Sequence, residues 1–308
     1  MPTPVLPLPP PASAAPLPPA RSGAGGTRVL SGVPYTSLPG ARRLELDLYL
    51  PAPGAPVPVV VFLHGGGWRL GSRQSAGPAY RDADPTPFEQ VAQAGIAVAS
   101  VDYRLSGEAT WPAQLHDAKA AVRWLRSRAG ELGVDPDRMA SWGESAGGHL
   151  AALLGLTGDD AELEGEVGGT GPSSRVAAVV AWYAPSDVAA VATDNGADPA
   201  DPSSREAQLL GAPVPTVPEL AAQASPLSHV SPAAPPVLLL HGQADRFVSC
   251  RQSERLRDAL AAVGADVELH TAPGADHMWS GSPEAAADAL TRTVAFLRRH
   301  LISEGDGS

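Results

Sequence analysis

The sequence predicts an α/β protein, with a mostly parallel central sheet, helices on both faces and a small lid insertion. Two observations carry that prediction. Short β-branched runs alternate along the chain with segments whose apolar residues recur every three or four positions. The residues with chemical capacity fall just past the ends of those runs, where open parallel sheets bind their ligands. At 308 residues, 44% hydrophobic and 18% charged, the chain has globular composition and ample length for one large core.

The first twenty residues carry nine prolines and no charged side chain. A signal peptide needs a basic start and an unbroken apolar stretch, which these prolines interrupt. Residues 1–26 are therefore expected to be a disordered, polyproline-like tail, with 27–308 as one α/β domain. The pattern becomes regular from Arg43. Leu44, Leu46, Leu48 and Leu50 alternate with polar or aromatic neighbours, as in a half-buried strand. Val57–Leu63 (VPVVVFL) is a continuous run, as in a central strand covered on both faces. A short helix is expected over 88–94 and a buried strand over 96–101.

Residues 112–129 give the clearest helix. Leu115, Ala118, Ala121, Val122 and Leu125 share one face, Pro112 sits in the first turn and Gly130 lies beyond the end. An apolar strand then leads into Gly143-Glu144-Ser145-Ala146-Gly147, followed by a helix to about Leu156. The acidic, glycine-rich stretch 158–174 reads as an exposed loop, and 176–183 as another buried strand. Residues 185–232 have weak helical patterning and enough length for a small lid. A strand, helix, strand, helix ending occupies 236–240, 249–263, 267–270 and 284–301.

Composition excludes several functions. The formal charge of −11 argues against nucleic acid or anionic membrane surfaces as partners, since both need clustered cations. One cysteine, Cys250, excludes an internal disulfide and a cysteine-type zinc site within one chain. The eight histidines show no paired metal-ligand spacing, so no metal and no cofactor are expected. No apolar run approaches the roughly eighteen residues of a membrane span. A cytoplasmic location is the default expectation.

The pentapeptide 143–147 has the form of a nucleophile elbow, a strained strand-to-helix turn that lifts a serine hydroxyl above a sheet. A side chain at either flanking glycine would collide with the neighbouring strand or helix. Serine is a poor nucleophile until a base takes its proton, and the base needs a third group to hold its tautomer. His277, in a turn-rich loop after a strand, is the best base, because among its rivals His116, His149 and His300 sit in helices, His229 in the insertion, and His241 at a strand end where it could shape the Asp245 loop. Asp245, just past the strand at 236–240, is the best acid. Asp276 adjoins the base in sequence and is poorly placed to reach the far ring nitrogen, while Asp187 is a backup. The run Gly65-Gly66-Gly67 after the central strand suits backbone donors for an oxyanion, and Ala146 follows the serine at a helix N-terminus.

Four ordered stretches resemble a known family: HGGGWRLGSR at 64–73, VDYRLSGEATWPAQLHDAKAAVRWLR at 101–126, DPDRMASWGESAGGHLAALL at 135–154 and HGQADRFV at 241–248. Together they look like the HGGG-containing α/β-hydrolases, nearest to bacterial carboxylesterases grouped with feruloyl esterases and hormone-sensitive-lipase relatives. The resemblance covers about 44–301. It implies an α/β-hydrolase fold, a triad of Ser145, Asp245 and His277, and oxyanion donors at Gly65, Gly66 and Ala146. Two departures stand out. Asp276 precedes His277 where many relatives have glycine, and 185–232 carries no family motif.

The expected activity is hydrolysis of small-molecule carboxylic esters with small or aromatic acyl groups, through an acyl-enzyme. Trp68 and Trp279, with Trp111 and Tyr183, are candidates for an aromatic acyl pocket, although aromatic residues beside such sites more often serve packing. An amidase of the arylformamidase kind is the alternative within enzymes. A non-catalytic ligand-binding protein on the same scaffold would carry a damaged constellation, whereas every part is present here.

Overall fold

A computed structural model describes residues 14–302 apart from 39–41, 159 and 170. One nine-stranded sheet organises it. The strands are β1 (Arg21–Ser22), β2 (Arg28–Thr36), β3 (Leu44–Leu50), β4 (Val57–Leu63), β5 (Ala97–Val101), β6 (Val134–Glu144), β7 (Ala178–Trp182), β8 (Val237–Gly242) and β9 (Val267–Ala272). Their order across the sheet is β1-β2-β3-β5-β4-β6-β7-β8-β9. From β5 onward every neighbour is parallel, while β1, β2 and β3 form an antiparallel edge. The expected mixed, mostly parallel sheet is thus observed.

The period of two explains why β4 is apolar throughout. Val59, Val61 and Leu63 face one core layer, with Leu115 and Val122 of α2 (Ala113–Ser127) and Leu150, Leu153 and Leu154 of α4 (Ala146–Leu156). Val60 and Phe62 face the other, with Phe88 and Val91 of α1 (Pro87–Gln93) and Leu290, Phe296 and Leu297 of α10 (Pro283–Leu301). A strand sandwiched in this way has no polar face to show. Helix α9 (Arg251–Ala262) joins the first layer through Leu256 and Leu260.

Two expectations need correction, and one strand lies where none was expected. The edge strand β2 was not legible, because register shifts between Leu30 and Val33 and between Pro34 and Thr36 break its alternation. The disordered tail was expected to reach Gly26, yet Arg21–Ser22 pairs with β2 and the amide of Ala24 donates to Glu89 Oε1 at 3.1 Å. Glu89 also closes the capping box of α1 with Thr86, so one carboxylate caps a helix and holds the incoming chain. Residues 1–13 lie outside the described residues. The expected loop at 158–174 contains α5 (Ala161–Glu164), whose Glu164 pairs with the buried Lys119 at 3.1 Å and with Arg123, both on α2.

The insertion at 185–232 is built from α6 (Val191–Asp194), α7 (Arg205–Leu210) and α8 (Pro218–Gln223), linked by turns. Leu209, Leu210, Val214, Ala221 and Ala224 belong to the main core, so it packs as part of the domain. Short α3 (Ala129–Leu132) completes the helices named here. Among the described residues no helix is long and apolar enough to cross a membrane.

Candidate active site

Strand β6 ends at Glu144 and α4 begins at Ala146, leaving Ser145 as the single residue of the turn. Its φ of 52° and ψ of −119° put a serine in a region L-residues avoid. That strain is held from three sides. The Ser145 amide donates to the Trp182 carbonyl at 2.8 Å. A Cβ on Gly143 would overlap the Gly147 carbonyl, and one on Gly147 would overlap the Leu63 carbonyl on β4. The two glycines are therefore required by backbone contact, one against the helix and one against the neighbouring strand.

His277 and Asp245 reach the same point from loops after β9 and β8. The Ser145 hydroxyl lies 2.9 Å from His277 Nε2, and His277 Nδ1 lies 2.6 Å from Asp245 Oδ2. Asp245 is buried and its other oxygen accepts the amides of Phe247 and Val248, each at 2.8 Å. Burial alone would raise its carboxyl, but hydrogen bonds from His241 and His277, the His277 charge and the Val248 amide hold it well below the usual range. An ionised Asp245 only accepts, so Nδ1 carries the proton and Nε2 presents its lone pair to the serine.

His241 fills the role its place at a strand end suggests. Its Nε2 lies 2.8 Å from the Val248 carbonyl and 3.3 Å from Asp245 Oδ2, and Ser253 holds its Nδ1 at 2.7 Å. The rival acids are directed elsewhere. Asp276 accepts the His277 amide and pairs with Arg246, while Asp187 faces Arg255.

The glycine loop departs from expectation at one position. The Gly65 amide donates to Glu144 Oε1 at 3.2 Å, so its proton is already committed. Gly66, with φ of 119°, is required because a Cβ would overlap the Leu70 carbonyl. The amides of Arg69 and Leu70 both donate to the Gly66 carbonyl and close the turn. Among the described residues, the amides of Gly66, Gly67 and Ala146 have no acceptor. Of the expected oxyanion donors, Gly66 and Ala146 therefore keep uncommitted protons, and Gly67 joins them.

Trp68 and Trp279 are not pocket walls. They are 1% and 3% exposed, as are Tyr183 at 1% and Trp111 at 4%. The Trp68 indole donates to His149 Nδ1 at 3.2 Å, and His149 Nε2 donates to the Ala224 carbonyl at 2.6 Å. One chain thus ties the glycine loop to α4 and the insertion. Burial lowers His149 to about 4, which keeps it neutral, and the Trp68 indole and Ala224 carbonyl fix its tautomer. Trp279 packs edge-on against Tyr183 behind His277. Sequence patterning marks aromatic residues but not whether they face a pocket or a core.

Two residues by the site were missed. The Phe247 ring lies 5.6 Å from that of His277 and is 45% exposed, and the Arg205 guanidinium stands 5.2 Å over its centroid. A Cβ on Gly67 would lie 2.5 Å from Arg205 Cδ, so this side chain spans from the glycine loop to Phe247. Beside them runs a groove of about 390 Å³ lined by Arg69, Ala192, Asn195, Arg205, Arg246 and Phe247, among others.

Sheet order, elbow and loops define an α/β-hydrolase. The chain belongs to the BD-FAE family, whose model matches residues 46–260. It is 34% identical to the esterase LipC of Mycobacterium tuberculosis over 73% of this chain and 54% of LipC. With esterase LipQ of the same organism it shares 33% identity over 86% of this chain and 60% of LipQ. The chain thus spans little more than half the length of these two relatives. Among solved structures, a truncated carbohydrate esterase from gut microbiota superposes with a TM-score of 0.78 at 29% identity, covering 92% of this chain and all of that one. Esterase 2 of Thermogutta terrifontis, phosphonylated by sarin, gives 0.71 at 26% identity, covering 92% of this chain and 99% of that one.

Proposed function

We propose that this chain hydrolyses carboxylic esters by way of an acyl-serine. The reading is carried by the continuous line from Ser145 to His277 to Asp245, at 2.9 and 2.6 Å, beside uncommitted amides. Ser145 Oγ attacks the ester carbonyl while His277 Nε2 takes the hydroxyl proton. The carbonyl oxygen becomes negative against the amides of Gly66 and Ala146 at the α4 N-terminus, where the helix dipole adds its field. Asp245 stabilises the imidazolium. His277 returns the proton to the departing alcohol, the C–O bond breaks, and Ser145 is left acylated. Water repeats the sequence, giving its proton to His277 and its oxygen to the acyl carbon, and the acid leaves with Ser145 restored.

The acyl group is small or aromatic and lies against Phe247 in the groove beside it. About 390 Å³ suits an acyl group of that size, and the exposed ring and guanidinium offer a stacking surface. The insertion serves as the lid. It supplies Ala192, Asn195 and Arg205 to the groove, and Asn195 Nδ2 holds the Phe247 carbonyl at 3.1 Å.

The test is kcat/KM for a panel of p-nitrophenyl esters of aliphatic and aromatic acids, with N-formyl aromatic amines alongside. Esters are expected to be turned over, with Ser145→Ala reducing hydrolysis about 10⁴-fold or more. Faster cleavage of the N-formyl amines would make the chain an amidase. Ester hydrolysis surviving Ser145→Ala would remove the nucleophile.

A further inference from the structure

Glu144, the residue before the nucleophile, is a carboxylate 5% exposed at the end of a buried strand. Its Oε1 accepts the Gly65 amide at 3.2 Å and its Oε2 accepts the Tyr183 hydroxyl at 2.6 Å. Gly77 closes the remaining side, since a Cβ there would lie 2.5 Å from Oε2. The Tyr183 ring meets His277 edge-on, with centroids 4.8 Å apart. Glu144 therefore touches the glycine loop directly and the base through one aromatic ring.

The titratable groups facing Glu144 are the hydroxyls of Tyr183, Tyr80 and Tyr103 and the imidazole of His277. Burial pushes the tyrosines up, so they remain neutral. Burial pushes the Glu144 carboxyl up overall, against the smaller opposing pull of the Tyr183 hydroxyl, the Gly65 amide and positive charge on His277; both its oxygens accept hydrogen bonds, as those of an ionised carboxylate do. Among the described residues, His277 is the one group facing Glu144 that can become a cation. A buried carboxylate with no cation beside it is costly, and an apolar side chain in its place would be cheaper. The compensating gain comes during the reaction. His277 is neutral when substrate arrives and positive in the transition state, so a nearby fixed anion acts more strongly on the transition state than on the ground state.

We propose that Glu144 is an electrostatic positioning residue, a second buried acid that stabilises the His277 imidazolium while anchoring the glycine loop through Gly65. The inference rests on the serine-hydrolase reading above. It assigns the base two carboxylates. Asp245 touches the ring and sets its tautomer, and Glu144 acts from beyond Tyr183. The other groups around His277 are Ser145, the Phe247 ring, and Asp276 with its partner Arg246, while His241 acts only through Asp245.

The test compares the 308-residue wild type with Glu144→Gln and Glu144→Ala by kcat/KM for p-nitrophenyl acetate across the acid limb and the plateau. Glutamine keeps the geometry without the charge: its oxygen accepts from Gly65 and its amide donates to the Tyr183 oxygen. An anion favours the charged imidazole, so its removal moves the acid limb to lower pH, by about one unit, and lowers the plateau about tenfold. Glu144→Ala moves the limb the same way and loses more at the plateau, because Gly65 also loses its acceptor. Either variant that melts cooperatively decides the matter. An active wild type with an unmoved limb in a folded variant overturns this inference alone. A wild type that hydrolyses no ester overturns the serine-hydrolase reading and this one with it.

Discussion

The elbow and the insertion meet at one mouth but are held by different forces. At the elbow, backbone lies against backbone. Gly143 faces the Gly147 carbonyl, Gly147 faces the Leu63 carbonyl, and Gly66 faces that of Leu70, with no room for a methyl group. In the insertion the ties run through side chains: Asn195 to the Phe247 carbonyl, Asp194 to Arg255 and Gln252, and Arg205 across the Phe247 ring. Close backbone contact admits no substitution, whereas side-chain ties can be exchanged one at a time. The elbow is therefore rigidly specified, and the groove beside Phe247 is open to change.

Breaking the elbow gives the largest expected effect. Gly147→Ala forces β4 and α4 apart and costs about 4 kcal/mol or more, read as a fall in urea midpoint or failure to fold. An equally small change in the insertion, such as Ala192→Gly, leaves the midpoint within about 1 kcal/mol.

The buried histidine that joins the two regions comes next, through pH. His149 is held near 4 in the folded chain against an ordinary 6.5, so only the unfolded chain binds that proton between the two values. Stability is full above 6.5 and falls as pH drops toward 4, by about 3 kcal/mol from this residue. Buried His64, also lowered to about 4, adds a loss of the same sign. Urea midpoints along this range check it, and His149→Gln is expected to flatten the slope.

Trp68→Phe removes the indole donor and leaves His149 Nδ1 unpaired. It costs about 1–2 kcal/mol of stability, and kcat/KM falls with it because the glycine loop loses its tether. Smallest is Arg205→Ala. It exposes Phe247 without touching the reacting atoms, and lowers kcat/KM for aromatic acyl esters about threefold while leaving acetate unchanged. An equal loss for acetate would place Arg205 in the support of the glycine loop instead.

The same contrast explains what the sequence made legible. Glycines at 143, 147 and 66 are backbone necessities, and such necessities leave a residue signature. Asp245 and His277 were readable because loops after β8 and β9 must open at the site end of a parallel sheet. Trp68 and Trp279 stayed open between packing and binding, because an aromatic near a site in sequence reads alike in either role; both are buried. Gly65 has a partner that its sequence neighbourhood does not reveal. Its amide is spent on a side chain seventy-nine residues away, a contact invisible to local pattern. Glu144 could have been noticed as an acid ending a strand that is otherwise buried, and so in need of partners. Phe247 sits in the stretch 241–248 without a binding signature of its own, and Arg205 starts a short helix in the insertion, where no motif marks it.

The most direct test of the central claim is intact-mass and peptide analysis after reaction of the 308-residue chain with a fluorophosphonate. Its charge-neutral phosphorus centre is open to an activated serine in the way an ester carbonyl is. One adduct is expected, on the peptide bearing Ser145, with labelling lost in Ser145→Ala and strongly slowed in His277→Ala. An unlabelled native chain, or an adduct on another residue, would contradict the account.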